Sequence, residues 1–105
     1  MTILDKAKDI IWGDREKTYG SPARNLQVVA DFWENFLHAR GHWNSDSHGL
    51  TPEDVCLMMG LLKIARLTNS PGHEDSLVDL CGYTALIERV KDADLTQAQG
   101  DRPSA

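Results

Sequence analysis

Two cations three residues apart, Lys63 and Arg66, are the only interruption of an otherwise apolar run, VCLMMGLLKIARL, from Val55 to Leu67. A segment that is hydrophobic on every side reads as a buried helix, and positions three apart project from neighbouring points on one helix face. A lone ammonium or guanidinium inside a protein costs several kcal/mol, comparable with the stability of a whole small domain. The pattern therefore asks for an anion beside Lys63 and Arg66, supplied by carboxylates of the chain, by a ligand, or by both. Asp75, Asp79 and Tyr83 recur every fourth residue, so they stack on one face of a later helix. Asp79 stands inside Leu77-Val78-Asp79-Leu80-Cys81, where a carboxylate needs partners. One arrangement is an internal salt-bridge network that locks two core helices together. The other has that network lining a cleft, with part of its positive charge left for a ligand phosphate. A carboxylate that orients an arginine is compatible with either.

The segment Gly13-Asp14-Arg15-Glu16-Lys17-Thr18-Tyr19-Gly20-Ser21-Pro22 is the second place where chemistry could gather. It sets two glycines, Arg15, Lys17 and Tyr19 immediately before a helix N-terminus, where backbone N–H groups and the helix dipole favour anions. Tyr19 offers a ring on which a base could stack. A capped turn with solvated charges accounts for the same residues, and no GxxxxGK[ST] phosphate loop is present. Histidine does not extend the list. His38 and His42 have helical ligand spacing, but Gly41 falls between them, and no third ligand accompanies any pair. No Ser/His/Asp or Cys/His nucleophile pattern occurs. Trp12, Trp33, Phe32 and Phe36 are expected in the core, and Trp43, in a polar loop, is the aromatic expected to touch a partner.

These residues must be carried by helices. Thr2 with Asp5 has the form of a capping box and opens a short helix ending near Gly13. Ser21-Pro22 and Thr51-Pro52 each place an N-cap before a proline, opening helices that stop at Gly41 and at Asn69-Ser70-Pro71-Gly72. A fourth helix is expected from about Glu74 to Lys91. No segment alternates with period two. Residues 41–50 are a polar loop, and 92–105 read as a disordered tail after a single domain over 1–91. The fold class is all-α, a compact bundle of about four helices. The third and fourth helices are too apolar for one four-helix layer to cover, so a homo-oligomer, dimer or tetramer, joined through them is expected.

Composition limits the function classes. The chain of 105 residues has 41% hydrophobic and 26% charged residues, with a formal charge of −5. That balance speaks against a duplex-DNA binder, which normally carries a basic face, but not against a small anion in a local pocket. No apolar run reaches the ~20 residues of a membrane span, and the N-terminus has no signal-peptide pattern. Cys56 and Cys81 have no CxxC or CxxH partner and read as free thiols of a cytoplasmic protein.

Gly13-Asp14-Arg15, Tyr19-Gly20-Ser21-Pro22, Asn25, Thr51-Pro52-Glu53-Asp54-Val55, Lys63-Ile64-Ala65-Arg66, Asp75-Ser76, Asp79 and Gly82-Tyr83 together resemble a family of small phage and prophage proteins. That family is similar to the all-α "nucleotide modification associated" phage domains, with a YG loop, a K-x-x-R helix and a final D-x-x-x-Y helix. The likeness spans about residues 3–88 and rests on the order and spacing of short motifs. It implies a phage-encoded oligomer that handles nucleotides. One model is a sponge that sequesters a nucleotide or cyclic-nucleotide signal of antiviral defence. Another is a MazG-like Mg²⁺-dependent nucleoside triphosphate pyrophosphohydrolase, from which this chain departs because it lacks the E-x-x-E pair. A third is a purely structural or protein-binding phage module. The expectation is a binder that does not consume its ligand and needs no cofactor. Arg15, Lys17, Lys63 and Arg66 would meet phosphate, and Tyr19 would stack on the base. Asn25 would bond base or ribose, Asp75 and Asp79 would orient the cations or read base amino groups, and Tyr83 would add ring or hydroxyl. The site is expected between subunits.

Overall fold

A computed structural model describes the backbone over residues 1–12, 21–44 and 49–101, and side chains as far as Lys91. Four helices follow one another among the described residues, with no strand: α1 (Ile3–Trp12), α2 (Pro22–Ala39), α3 (Pro52–Asn69) and α4 (Glu74–Asp101).

Each helix is bounded by chemistry local to its ends. At α1, the Asp5 N–H donates to Thr2 Oγ1 and the Thr2 N–H donates to Asp5 Oδ2, both at 3.1 Å. The Thr2 hydroxyl also donates to Asp5 Oδ2, at 2.8 Å, and this bond first, with the Thr2 N–H second, holds the Asp5 carboxyl below the ordinary carboxylate range. α2 opens with Ser21 Oγ accepting from the Arg24 N–H at 3.2 Å. It closes at Gly41, whose φ of 77° suits glycine. The His42 N–H reaches the Leu37 carbonyl at 2.8 Å and the Gly41 N–H reaches that of His38 at 3.0 Å. Those two bonds make a Schellman closure. α3 begins with a second reciprocal box, Thr51 N–H to Asp54 Oδ2 at 2.9 Å and Asp54 N–H to Thr51 Oγ1 at 3.1 Å.

Among the described helices α4 is the hub: it packs against α1, α2 and α3, while α1 touches α4 alone of the three. Ala23, Leu26, Ala30, Val55, Cys56 and Val90 form the core cluster, with Val29, Trp33, Leu50, Met59, Leu86 and Ile87 around it. α1 buries Ala7 and Ile11 and is pinned at two points. Near its start Lys6 pairs with Glu74. At its end the Arg89 guanidinium donates to the Ile11 carbonyl and lies 4.8 Å from the centroid of the Trp12 ring.

Four expectations need correction. α3 is apolar all round but not buried all round, because Leu57, Met58, Leu61, Leu62 and Ile64 remain exposed. The far side of α4 is not left open as α3's is, since α1 covers part of it. Phe32, Phe36 and Trp12, expected inside, are exposed, whereas Trp43 is half-buried and meets the His38 ring edge-on at 6.4 Å. The helical backbone of α4 runs ten residues past the expected end at Lys91, although Val90 is its last buried side chain among those described.

Candidate anion site

Lys63 and Asp79 are brought together at the seam of α3 and α4. Lys63 Nζ lies 2.9 Å from Asp79 Oδ2, with the lysine side chain 10% exposed and the aspartate 36%. The register of the two helices places this pair. Gly60, one turn before Lys63, faces α4: a Cβ there would sit 3.6 Å from Leu80 Cδ1, in ordinary contact. From the same side of α3 the flexible stem of Lys63 is buried while its head reaches the carboxylate.

The other site residues expected on these helices take different places. Arg66 stands one turn beyond Lys63 but is exposed, so it is not the second buried cation that the apolar run suggested. Asp75 is exposed in the first turn of α4. Tyr83 is half-buried one turn beyond Asp79. Beside it, Gly82 is half-buried and would place a Cβ in open space, with nothing within 4 Å. Asn25 is exposed in the first turn of α2. Arg15, Lys17 and Tyr19 lie outside the described residues. The site's described part is thus an enclosed cation, a half-open carboxylate, and Arg66 and Tyr83 to either side.

Leu61 and Lys63 are two residues apart on α3, and about 200° apart around the helix. The ion pair therefore faces the fold interior, on the side away from the exposed apolar face. A subunit interface on that apolar face would not enclose Lys63.

Three polar anchors have no signature in the sequence pattern. Glu34 Oε1 accepts from the Leu50 N–H at 2.8 Å, holding the start of α3 to α2. His73 caps α4, with Nδ1 accepting from the Ser76 N–H at 3.3 Å and 2.9 Å from Ser76 Oγ. Arg89 ties α1 down as described above. Cys56 is chemically quiet: its burial, and secondarily the charge of Glu53 one turn earlier, push the thiol up to about 11. Cys56 and Cys81 are both free. Among the described residues, no three His, Cys, Asp or Glu side chains converge where a metal ion could be held. No helix among them is long and apolar enough to cross a membrane.

Fold and site define a small all-α domain with an enclosed ion pair between two core helices. A family model described as "Domain of unknown function (DUF6378)" matches residues 2–91, and the chain belongs to that family. It is similar to the Gene 55 protein of Mycobacterium phage L5, 38% identical over 91 residues, 87% of this chain and 53% of the relative. It is also similar to the Gene 55 protein of Mycobacterium phage D29, 33% identical over 89 residues, 85% of this chain and 53% of the relative. The chain thus spans about half the length of these phage relatives. No solved structure matches.

Proposed function

We propose that this domain binds a nucleotide or cyclic nucleotide without consuming it, as a phage-encoded homo-oligomer acting in the host cytoplasm to sequester a signal of antiviral defence. The observation that carries the reading is the enclosed Lys63–Asp79 pair with Arg66 exposed one turn along. Asp79 meets Lys63, while Arg66, exposed one turn along, keeps a second cation at the surface of a chain whose formal charge is −5. Arg66 presents that charge outward in a planar fork suited to phosphate. Tyr83 and the space beside Gly82 give a base or ribose an apolar neighbour. Membership in a phage family is in keeping with an antagonist of host signalling. Arg15, Lys17, Tyr19 and Asn25 complete the site in this reading.

A structural reading has its own support, because Asp79 already neutralises Lys63. The two are separated by a thermal-shift screen of nucleoside mono-, di- and triphosphates and cyclic di- and trinucleotides, with and without Mg²⁺. A ligand at one hundred times its Kd adds about 2.7 kcal/mol, a rise of roughly 10 °C for a domain of this size. Stabilisation with the ligand recovered intact, lost in Arg66→Met and Lys63→Met, supports the binder. Metal-dependent conversion to a monophosphate would instead identify a pyrophosphohydrolase. Silence across the panel leaves the ion pair as a helix lock.

A further inference from the structure

α3 carries more apolar surface than its own fold covers. Val55, Cys56, Gly60 and Lys63 are buried, while Leu57, Met58, Leu61, Leu62 and Ile64 stay between 42% and 65% exposed. On α2, which packs beside α3, Phe32 and Phe36 are 67% and 62% exposed. The described interior is built from smaller groups: three of its nine buried apolar residues are alanine and none is aromatic. Proteins ordinarily enclose their large apolar side chains, and a contiguous exposed set marks a contact surface.

We propose that this face seats a second copy of the chain, in a two-fold helix-to-helix dimer centred on Leu61. Four observations select that occupant. Area is the first. The five α3 side chains leave on the order of 500 Å² in water and the two phenylalanines on the order of 300 Å², against about 800 Å² that each partner gives to a standard interface. Charge is the second. Two copies of a chain bearing −5 repel one another, and Val55 through Leu62 contains no charged residue, so the α3 part of the face brings no acid of its own into the contact. Pattern is the third. Leu57, Leu61 and Ile64, with Met58 and Leu62 alongside, fall on i, i+4 and i+7 positions of one stripe, which lets a helix pack on a copy of itself. Shape is the fourth. The molecule measures 45 × 36 × 20 Å, a thickness of about two helix diameters, and α3 has its neighbours, α2 and α4, on its buried side while the Leu61 side stays open. A copy placed on the open side gives α3 its second layer.

The inference does not rest on the nucleotide reading, since Lys63 leaves α3 on the other side from Leu61. Sedimentation of the full chain from micromolar to near-millimolar concentration tests it, and the expected species has twice the 11.7 kDa chain mass. Leu61→Glu and Phe32→Glu each place a charge where the single chain already meets water, so the circular-dichroism spectrum is expected unchanged. Their dimer dissociation constant is expected to rise on the order of 100-fold or more. Lys8→Glu, exposed on α1 and away from α3, is expected to leave assembly intact. A chain that sediments at 11.7 kDa throughout overturns the proposal, as does a dimer that survives both face variants. A monomer that Leu61→Glu destabilises also overturns it, and points to a segment of the same chain covering the face. Repeating the nucleotide screen on the Leu61→Glu monomer shows separately whether the anion reading stands.

Discussion

Lys63 and Asp79 share a bond of 2.9 Å but not an environment: the ammonium side is enclosed at 10% exposure, and the carboxylate side stays 36% open to water. Loss of the carboxylate strands a charge inside the protein, whereas loss of the lysine frees a carboxylate that can rehydrate. Asp79→Asn is therefore expected to cost on the order of 2–3 kcal/mol, and Lys63→Met under about 1 kcal/mol. Urea unfolding of the two variants and their double checks the ordering. Equal losses would mean that Asp79 is as enclosed as its partner.

Glycine in the interior of a helix loses about 1 kcal/mol to alanine unless a neighbour forbids the methyl group. At Gly60 the methyl would rest 3.6 Å from Leu80 Cδ1, an ordinary contact, and at Gly82 it would meet nothing within 4 Å. Gly60→Ala and Gly82→Ala are each expected to raise stability by about 0.5–1 kcal/mol, a gain of a few degrees in Tm. A fall in Tm for Gly60→Ala would show that Leu80 packs closer to position 60 than that ordinary contact.

His73 does at α4 what serine and threonine do at the other helices. His73→Ala is expected to cost about 1 kcal/mol, with His73→Asn retaining most of it. Chemical denaturation of both variants decides whether the imidazole is the cap or a bystander.

Cys56 supplies a pH signature. Its thiol is raised from an ordinary value of 9.0 to about 11 in the folded chain, so the folded state holds the proton that the unfolded state releases. The stabilisation is fully present below pH 9, and lost as pH climbs from about 9 to about 11. Its slope is roughly 1.4 kcal/mol per pH unit within that window. Denaturation of the wild type and of Cys56→Ala across this range checks the slope, which the variant should lack. A thiol reagent at neutral pH is expected to label half-buried Cys81 first and Cys56 only on unfolding.

The boundaries of α1, α2 and α3 were legible because their chemistry is local. Thr2 and Asp5, Ser21 and Pro22, Thr51 and Pro52, and Gly41 declare themselves within a few residues of the helix end they mark. Orientation was not legible for α3, where leucine, methionine and isoleucine occupy every side and periodicity cannot say which side meets α4. For the same reason Lys63 and Arg66 looked equivalent, although only the first lies in the seam. Glu34 was invisible because its partner, the Leu50 N–H, is sixteen residues away. His73 gave no signal because imidazole is an unusual cap. Asp79 was legible because a carboxylate flanked by Leu77, Val78, Leu80 and Cys81 needs a cation close by, and Lys63 stands in the neighbouring apolar helix.

Because α1 touches α4 and no other helix among those described, its attachment can fail without unpacking α2, α3 and α4 from one another. The fastenings are Lys6 to Glu74 and Arg89 to Ile11 and Trp12. Native-state hydrogen exchange should then divide the chain into two tiers, with α1 amides opening at a lower free energy than those around Val55, Cys56 and Val90. Arg89→Ala should widen the gap between the tiers while leaving the slower one in place. The first twelve residues are in this sense a removable strap on a three-helix body.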